Sequence, residues 1–278
     1  MPNTQRTLPF HDGRRAPQLG LGVWQVKDDE AATVVKTALD IGYRSIDTAA
    51  IYGNETGVGR GIATSGVARE DLFVATKVWN DRHGHDSTRA AFEESLEKLG
   101  LDYVDLYLIH WPAPQQARFV QAWETLIQLR DEGRAKSIGV CNFNIPHLQE
   151  LLDETGVLPV INQIELHPHF QQAELREFHT EHDIITEAWS PLGRGRLWED
   201  TTLAGIAAKH GRSVAQVILR WHVQLGNMAI PKSVTPSRMR ENLAVFDFTL
   251  DDQDMAAIAA LDRADGRGGP DPEEFSGF

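Results

Sequence analysis

The chain has 278 residues, of which 41% are hydrophobic and 24% charged, a composition typical of a folded globular protein rather than a disordered one. Its 27 lysines and arginines against 40 aspartates and glutamates give a formal net charge of −13, which disfavours nonspecific binding to nucleic acid. The single cysteine, Cys141, excludes an intramolecular disulfide framework and a multi-cysteine metal centre. With neither a signal-peptide pattern nor a run of about 18 apolar residues, we expect a cytoplasmic protein without a membrane partner. We also expect it to be a monomer.

The predicted elements begin with a short hairpin in residues 1–18, because Asp12-Gly13 between two strand-like segments is typical of a tight turn. Eight further strand-like segments alternate with stretches of helical period: Gly20–Trp24, Arg44–Asp47, Leu72–Lys77, Val104–His110, Ala135–Val140, Val160–Glu165, Ile184–Trp189 and Met228–Pro231. Helices are predicted over Asp28–Ile41, Glu55–Ser65, Ser87–Leu99, Phe119–Glu132, Pro146–Thr155, Gln171–His182, Thr202–His210, Ser213–Leu225, Ser237–Val245 and Asp251–Leu261. The glycine- and proline-rich tail, 262–278, is predicted to be a loop or lid.

Eight strands, each followed by a helix, predict an α/β fold, a closed (β/α)8 TIM barrel with an N-terminal hairpin and extra helices near the C-terminus. We expect one domain over residues 1–278. The alternative is an open doubly wound sheet, which would carry a Gly-x-Gly-x-x-Gly fingerprint after its first strand. Gly20-Leu21-Gly22 has no third glycine in register, which favours the barrel.

Four polar side chains fall at or just after predicted strand ends, where a barrel gathers its active site: Asp47, Tyr52, Lys77 and His110. A lysine ammonium near a phenol stabilises the phenolate, so we expect Lys77 to lower the pKa of Tyr52. Asp47 would hold Lys77, and His110 would orient a carbonyl oxygen. The residues alone leave open a structural Asp47–Lys77 ion pair, and also a Schiff-base lysine, although a neighbouring carboxylate would keep that amine protonated.

Five segments of the chain resemble the aldo-keto reductase family: Asp47–Glu55, Thr76–Lys77, Leu108–Pro112, Ser137–Phe143 and Ile230–Ser233. The similarity runs from Leu19 to Leu261 and is greatest to bacterial 2,5-diketo-D-gluconate reductases. It implies an NADPH-dependent oxidoreductase that reduces aldehydes, ketones, α-dicarbonyls or keto-sugar acids to alcohols. It also implies that Asp47, Tyr52, Lys77 and His110 form a catalytic tetrad in which Tyr52 is the proton donor.

The resemblance further implies the cofactor contacts of NADP(H). Nicotinamide contacts would be Asn142, Gln163 and Trp189, and the pyrophosphate would lie under Ser190, Leu192 and Gly193. The adenosine end would contact Lys232, Ser233, Val234, Arg238, Glu241 and Asn242, with the two cations on the 2′-phosphate. Two cations beside a helix N-terminus also suit an anion on physical grounds. Cys141 stands where the family usually has serine, and a thiol is the weaker hydrogen-bond donor.

An aromatic substrate pocket is expected from Trp24, Trp79 and Trp111, which follow the first, third and fourth predicted strands. Burial of these tryptophans in the core is the alternative for each. By resemblance, the tail residues Phe275 and Phe278 would fold over the pocket.

Three other kinds of site or function are alternatives for this sequence. His167-Pro168-His169 lacks the accompanying ligands of a metal site, so we expect no metal. A cofactor-binding sensor or scaffold without turnover stays open, although an intact tetrad argues against it. A barrel aldolase or hydrolase is disfavoured by the phosphate-binding pattern of Lys232–Asn242.

Overall fold

A two-stranded antiparallel hairpin precedes eight parallel strands in the computed structural model, which describes residues 6–277. The hairpin consists of β1 (Thr7–Pro9) and β2 (Arg15–Pro17), and Gly13 turns it with a φ of 85°. The parallel strands are β3 (Leu21–Gly22), β4 (Ser45–Asp47), β5 (Phe73–Val78), β6 (Val104–Ile109), β7 (Ala135–Cys141), β8 (Ile161–Glu165), β9 (Ile185–Trp189) and β10 (Met228–Ala229). All eight lie within or next to the segments predicted from the sequence.

Ten α-helices accompany these strands in the described part of the chain: α1 (Asp28–Ile41), α2 (Glu55–Ala63), α3 (His85–Leu99), α4 (Phe119–Asp131), α5 (Ile145–Thr155), α6 (Ala173–Glu181), α7 (Thr201–His210), α8 (Val214–Gln224), α9 (Pro236–Leu243) and α10 (Asp252–Ala259). α1 has its predicted bounds, because its apolar residues recur on one face and Gly42 ends it with a φ of 122°. Within residues 6–277, no helix is long and apolar enough to cross a membrane.

The eight strands pair in chain order, and the first meets the last to close the barrel. At this seam Gly20 N–H donates to Ala229 O at 2.9 Å, and Ala229 N–H donates to Gln18 O at 3.0 Å. Gly22 lets the strands approach, because a Cβ there would lie 2.8 Å from Ile230 O. The predicted (β/α)8 barrel is therefore confirmed, and the open sheet is excluded by the closing bridges.

The hairpin covers the N-terminal end of the barrel. Phe10 and Ala16 are buried in an apolar cluster with Phe73, Leu106 and Val160, and the Phe10 and Phe73 rings meet edge to face at 6.1 Å. Burying these side chains closes that end of the barrel to water. The end that stays open carries the C-terminal ends of the strands, where the predicted site residues lie.

Helix α2 packs closely on its neighbours through glycines. A Cβ on Gly57 would lie 2.1 Å from Asp28 O, and one on Gly59 would lie 2.2 Å from Leu99 O. These distances are far shorter than any real Cβ contact, so only glycine fits at either position. The close packing brings α2 against α1 and α3 and fixes the loop between β4 and α2.

Candidate active site

Lys77 lies at the centre of a buried polar cluster at the open end of the barrel. Its Nζ donates to Asp47 Oδ1 at 2.6 Å and to the carbonyl oxygen of Thr48 at 2.8 Å, and it lies 5.2 Å from the centre of the Tyr52 ring. The Tyr52 and His110 rings meet edge to face, with centroids 5.7 Å apart. The structure therefore brings together all four side chains of the predicted tetrad.

Tyr52 is a neutral phenol in this environment. Burial raises its pKa to about 12, although the positive charge of Lys77 acts in the opposite direction. The expectation that Lys77 would bring this pKa below its ordinary value is therefore wrong. The free energy needed to remove the phenolate from water exceeds the stabilisation that the one nearby cation provides. The negative charge of Asp47 destabilises the phenolate further.

Lys77 and His110 carry opposite protonation states. Burial acts to lower the pKa of Lys77, but the carboxylate of Asp47, together with smaller contributions from Tyr52 and Cys141, outweighs it and holds that pKa above the ordinary value. Burial and the charge of Lys77 hold the pKa of His110 well below its ordinary value. The site therefore combines an ammonium, a neutral phenol and a neutral imidazole, which together can hydrogen-bond a carbonyl oxygen and deliver a proton to it.

Gln163 connects the tetrad to a second buried carboxylate that the sequence analysis missed. Its Nε2 donates to Asp47 Oδ2 at 3.0 Å and to Glu187 Oε2 at 2.8 Å. Glu187 is buried, and this burial together with the negative charge of Asp47 raises its pKa to about 7. The available signal was an acidic residue inside an otherwise apolar predicted strand. Since both Nε2 hydrogens are used, the Gln163 amide can offer a ligand only its Oε1 acceptor.

Asn142 and Trp189 are joined directly to each other. Trp189 Nε1 donates to Asn142 Oδ1 at 2.7 Å, and Asn142 Nδ2 donates to the carbonyl oxygen of His110 at 3.0 Å. Asn142 has a left-handed backbone, with a φ of 62°, which asparagine tolerates better than most residues. Cys141 beside it is fully buried. Asn142 therefore holds Trp189 at the cavity through its side chain.

The segment after β9 brings a cation to the open end of the barrel. Ser190 and Gly193 have φ values of 47° and 59°, and Gly193 N–H donates to Ser190 O at 2.8 Å. This turn places the guanidinium of Arg194 4.9 Å from the Trp24 ring and 5.6 Å from the Trp189 ring. Arg194 thus contacts two aromatic rings of the cavity. The half-buried Leu192 lies within the same turn.

The predicted phosphate site lies at the start of α9. Lys232 and Arg238 are exposed, and neither forms an ion pair within residues 6–277. Ser233 is buried, and its Oγ accepts a hydrogen bond from Thr235 N–H at 3.2 Å. Two unpaired cations beside a helix N-terminus in a chain of net charge −13 suit a phosphate. Val234 is exposed between them.

Glu241 and Asn242, the expected adenine contacts, are not free at the surface as Lys232 and Arg238 are. The Glu241 carboxylate accepts a hydrogen bond from Ser213 Oγ, which ties it to the start of α8. Asn242 is buried. Lys232, Ser233 and Arg238 therefore lie just before or within the first turn of α9, whereas the Glu241 carboxylate is directed to another helix.

The tetrad opens into a cavity of about 460 Å³ with a largely aromatic lining. The three predicted tryptophans, Trp24, Trp79 and Trp111, all line it together with Phe275. Trp24 is 41% exposed, which excludes a role in the core. The Phe275 ring lies 4.5 Å from the Trp111 ring and 6.2 Å from the Trp79 ring. Phe278 lies outside the described residues.

The C-terminal tail crosses the mouth of this cavity and is held there by side chains of the barrel loops. Gln115 Nε2 donates to the carbonyl oxygen of Glu273 at 2.5 Å, and Asn144 Nδ2 donates to its carboxylate at 2.6 Å. Asn80 Nδ2 donates to Ser276 O at 3.0 Å. The tail predicted as a loop or lid is therefore an ordered cover over the aromatic lining.

Comparison with known proteins decides the family. Residues 17–263 match the model of the aldo/keto reductase family. The chain belongs to the aldo/keto reductase family. An aldo-keto reductase of Mycolicibacterium smegmatis is 53% identical over 97% of this chain and 98% of its own length. The methylglyoxal reductase DkgA of Escherichia coli is 52% identical over 97% of this chain and 98% of its own length.

Solved structures agree with this assignment. The apo form of Gox0644 superposes with a TM-score of 0.94 at 54% identity, over 97% of this chain and 98% of that one. A point variant of Gox0644 in complex with NADPH gives a TM-score of 0.95 at 53% identity, over 98% and 99% of the two chains. This aldo/keto reductase is an enzyme that reduces carbonyl groups with NADP(H), as the resemblance implied. The sensor interpretation is not favoured.

Proposed function

We propose that this aldo/keto reductase reduces small uncharged aldehydes and α-dicarbonyls, with Tyr52 as the proton donor. The observation that carries the proposal is the protonated phenol of Tyr52 beside the buried Lys77 cation, at the base of an aromatic cavity. NADPH, when bound, supplies the hydride. Side chains of this chain bind the substrate carbonyl and donate the proton.

The proton transfer follows from the protonation states. A substrate carbonyl oxygen accepts hydrogen bonds from the Tyr52 hydroxyl and from the neutral imidazole of His110. As negative charge develops on that oxygen, the phenol donates its proton, and the ammonium of Lys77 stabilises the phenolate that remains. Asp47 is a positioning residue in this scheme, because its short hydrogen bond keeps Lys77 charged and in place.

We assign the cofactor contacts on the donors and acceptors present. Gln163 offers Oε1 to a carboxamide N–H, and Trp189 offers an indole face for stacking. Lys232 and Arg238 carry the unpaired charges that a 2′-phosphate needs, which favours NADPH over NADH. Glu241 would contact the adenine only after release from Ser213.

The preference for uncharged substrates rests on the lining around the tetrad. Trp24, Ile51, Trp79, Trp111 and Phe275 surround it, and none of them carries a positive charge that could form an ion pair with a carboxylate. The similarity to a methylglyoxal reductase supports the same substrate class. Keto-sugar acids are the second candidate class, and the guanidinium of Arg194 at the cavity is the observation that favours them.

The test is NADPH consumption, with NADH in parallel, against methylglyoxal, an aromatic aldehyde and a keto-sugar acid. We expect turnover with the first two substrates and a loss of about 10²- to 10⁴-fold in Tyr52→Phe, the usual contribution of a general acid. Tyr103→Phe is the matched control, because Tyr103 lies away from the cavity. Retained turnover in Tyr52→Phe would refute the proton-donor role. A preference for the keto acid that Arg194→Ala abolishes would favour the second class.

We also propose a monomer in a reducing compartment. The large exposed apolar side chains in the described residues are Trp24, Ile51, Trp198 and Val234, too few for the apolar patch of a stable subunit interface. The unpaired, buried thiol of Cys141 fits a reducing cytoplasm. Light scattering after gel filtration measures the mass, and a dimer would contradict the first point.

A further inference from the structure

Glu165, the last residue of β8, is a buried carboxylate that the proposed mechanism does not use. It is 2% exposed, and it accepts three hydrogen bonds from backbone N–H groups of the C-terminal tail. Gly268 N–H lies 3.0 Å from both carboxylate oxygens, and Gly269 N–H lies 2.8 Å from Oε2. Glu165 thus joins the barrel to a segment about 100 residues further along the chain.

Gly268 and Gly269 lie where the tail approaches the barrel too closely for a larger residue. A Cβ on Gly269 would lie 2.5 Å from Trp189 Cη2, and one on Gly268 would lie 2.2 Å from the guanidinium of Arg196. The tail backbone therefore packs on the same indole that faces the cavity. It also packs on the segment that follows β9.

Glu165 has two side-chain neighbours as well. His167 Nε2 lies 3.4 Å and Arg196 lies 3.8 Å from its Oε1. Burial alone would raise the pKa of Glu165, but the neighbouring His167 ring and the hydrogen bonds from Gly269 and Gly268 hold it below its usual value. The carboxylate is therefore charged, and its shortest contacts go to the tail rather than to these side chains. A role confined to the turn after β8 would not require those three bonds.

The anchored glycines lead directly into the residues that cover the substrate. Pro270 follows Gly269 and lines the cavity, and Phe275 lines it five residues later. The position of the Phe275 ring on Trp111 depends on where the tail crosses the mouth. Gln115 and Asn80 hold the tail further along, and Glu165 holds it where it enters.

We propose that Glu165 is a specificity-determining positioning residue, whose carboxylate seats the C-terminal tail on Trp189 and thereby places Phe275 over the substrate. This inference rests on the proposed function for the identity of the substrate cavity. A substrate large enough to contact Phe275, such as an aromatic aldehyde, needs the seated tail. A three-carbon dicarbonyl reaches Tyr52 and His110 without it.

Two variants perturb the contact between Glu165 and the tail, which we call the anchor, one on each side of it. Glu165→Gln removes the charge and replaces one acceptor with a donor, whereas Gly269→Ala adds a methyl group where Trp189 stands. Gly269→Ala leaves the buried carboxylate in place, so it tests the proposal if Glu165→Gln fails to fold. Glu274→Gln is the matched control, because this exposed tail glutamate has no side-chain hydrogen bond or ion pair in the described residues.

The first measurement is the rate of trypsin cleavage after Arg267 in the folded protein, followed by mass spectrometry. We expect cleavage to be about tenfold faster in Glu165→Gln, the shift expected when one charge-assisted hydrogen bond is lost. We expect faster cleavage in Gly269→Ala as well, because the added methyl group clashes with Trp189 and displaces the tail. Glu274→Gln should match the wild type. Unchanged cleavage in both anchor variants would overturn the proposal, whatever their activities. This readout needs no turnover, so it stands even if the proposed function fails.

The second measurement is kcat/KM for an aromatic aldehyde relative to methylglyoxal. We expect this ratio to fall about tenfold in both anchor variants, mainly through KM for the aromatic substrate. Adding Phe275→Ala to Glu165→Gln should cause little further change, because both act through one contact. Faster cleavage with an unchanged ratio would overturn the specificity role. Absence of all turnover in the wild type would refute the proposed function instead.

Discussion

Replacing Glu187 with glutamine should change how stability depends on pH. The Glu187 carboxyl is buried beside Asp47, and its pKa is raised from 4.5 to about 7. The folded state therefore keeps a proton that the unfolded chain loses as pH rises through 4.5. The free energy of unfolding contributed by this group falls between pH 4.5 and 7 and is constant above that range.

The size of the effect follows from the pKa difference. At about 1.4 kcal/mol per pKa unit, the folded state loses about 3 kcal/mol relative to the unfolded state across this window. Glu187→Gln keeps an oxygen that can accept the hydrogen bond from Gln163 but cannot ionise. We therefore expect the stability of this variant relative to the wild type to increase by about 3 kcal/mol as pH rises from 4.5 to 8.

The assay is urea unfolding at intervals across that range. Comparison with the wild type is essential because buried histidines change the pH dependence of stability in the opposite direction. Burial lowers the pKa of His83 to about 4 and of His179 to about 3, so their contributions to stability rise with pH. Both chains carry these histidines, and the difference between the chains isolates Glu187. Glu97→Gln, on the exposed face of α3, is the control, and parallel curves for Glu187→Gln and wild type would refute the reasoning.

Two further predictions concern the cofactor and the packing of α2. Arg238→Ala should weaken NADPH binding about tenfold or more, the value of a charged hydrogen bond, and leave NADH binding little changed; fluorescence titration measures both, and equal losses would contradict the 2′-phosphate role. Gly59→Ala should lower the free energy of unfolding by about 1–3 kcal/mol through its clash with Leu99 O. Gly205→Ala, on α7 with open space around it, should raise the free energy of unfolding by about 0.5–1 kcal/mol. Urea unfolding measures both changes, and a change of the same sign in the two glycine variants would refute the packing argument.

The barrel and the tetrad were predictable because their signals are local. Apolar residues at strand and helix spacing define each element, and polar residues at strand ends identify the open end of a barrel. The predicted segments at Gly20–Trp24 and Met228–Pro231 are longer than the observed strands. The ladder between β3 and β10 is interrupted at the seam, and the sequence carries no signal for that interruption.

The remaining features depend on contacts between distant parts of the chain. Spacing correctly indicates that Lys77 lies near Tyr52, but it does not indicate the burial that raises the pKa of the phenol. Glu165 was predicted only as a strand residue, because its partners lie in a tail whose course has no periodic signal. Glu241 was assigned to adenine by resemblance, whereas in this chain Ser213 occupies its carboxylate.

The seam of the barrel also bears on the order of assembly. Its bridges join Leu19 to Ala229 and Gly22 to Lys232, whereas β6 and β7 pair across about 30 residues. By the logarithmic dependence of loop closure on length, the seam costs about 2 kcal/mol more entropy to close. We therefore expect it to pair last during refolding, and pulse-labelled amide exchange would detect late protection at Gly20. Early protection there would mean that the two ends of the chain meet before the middle strands do.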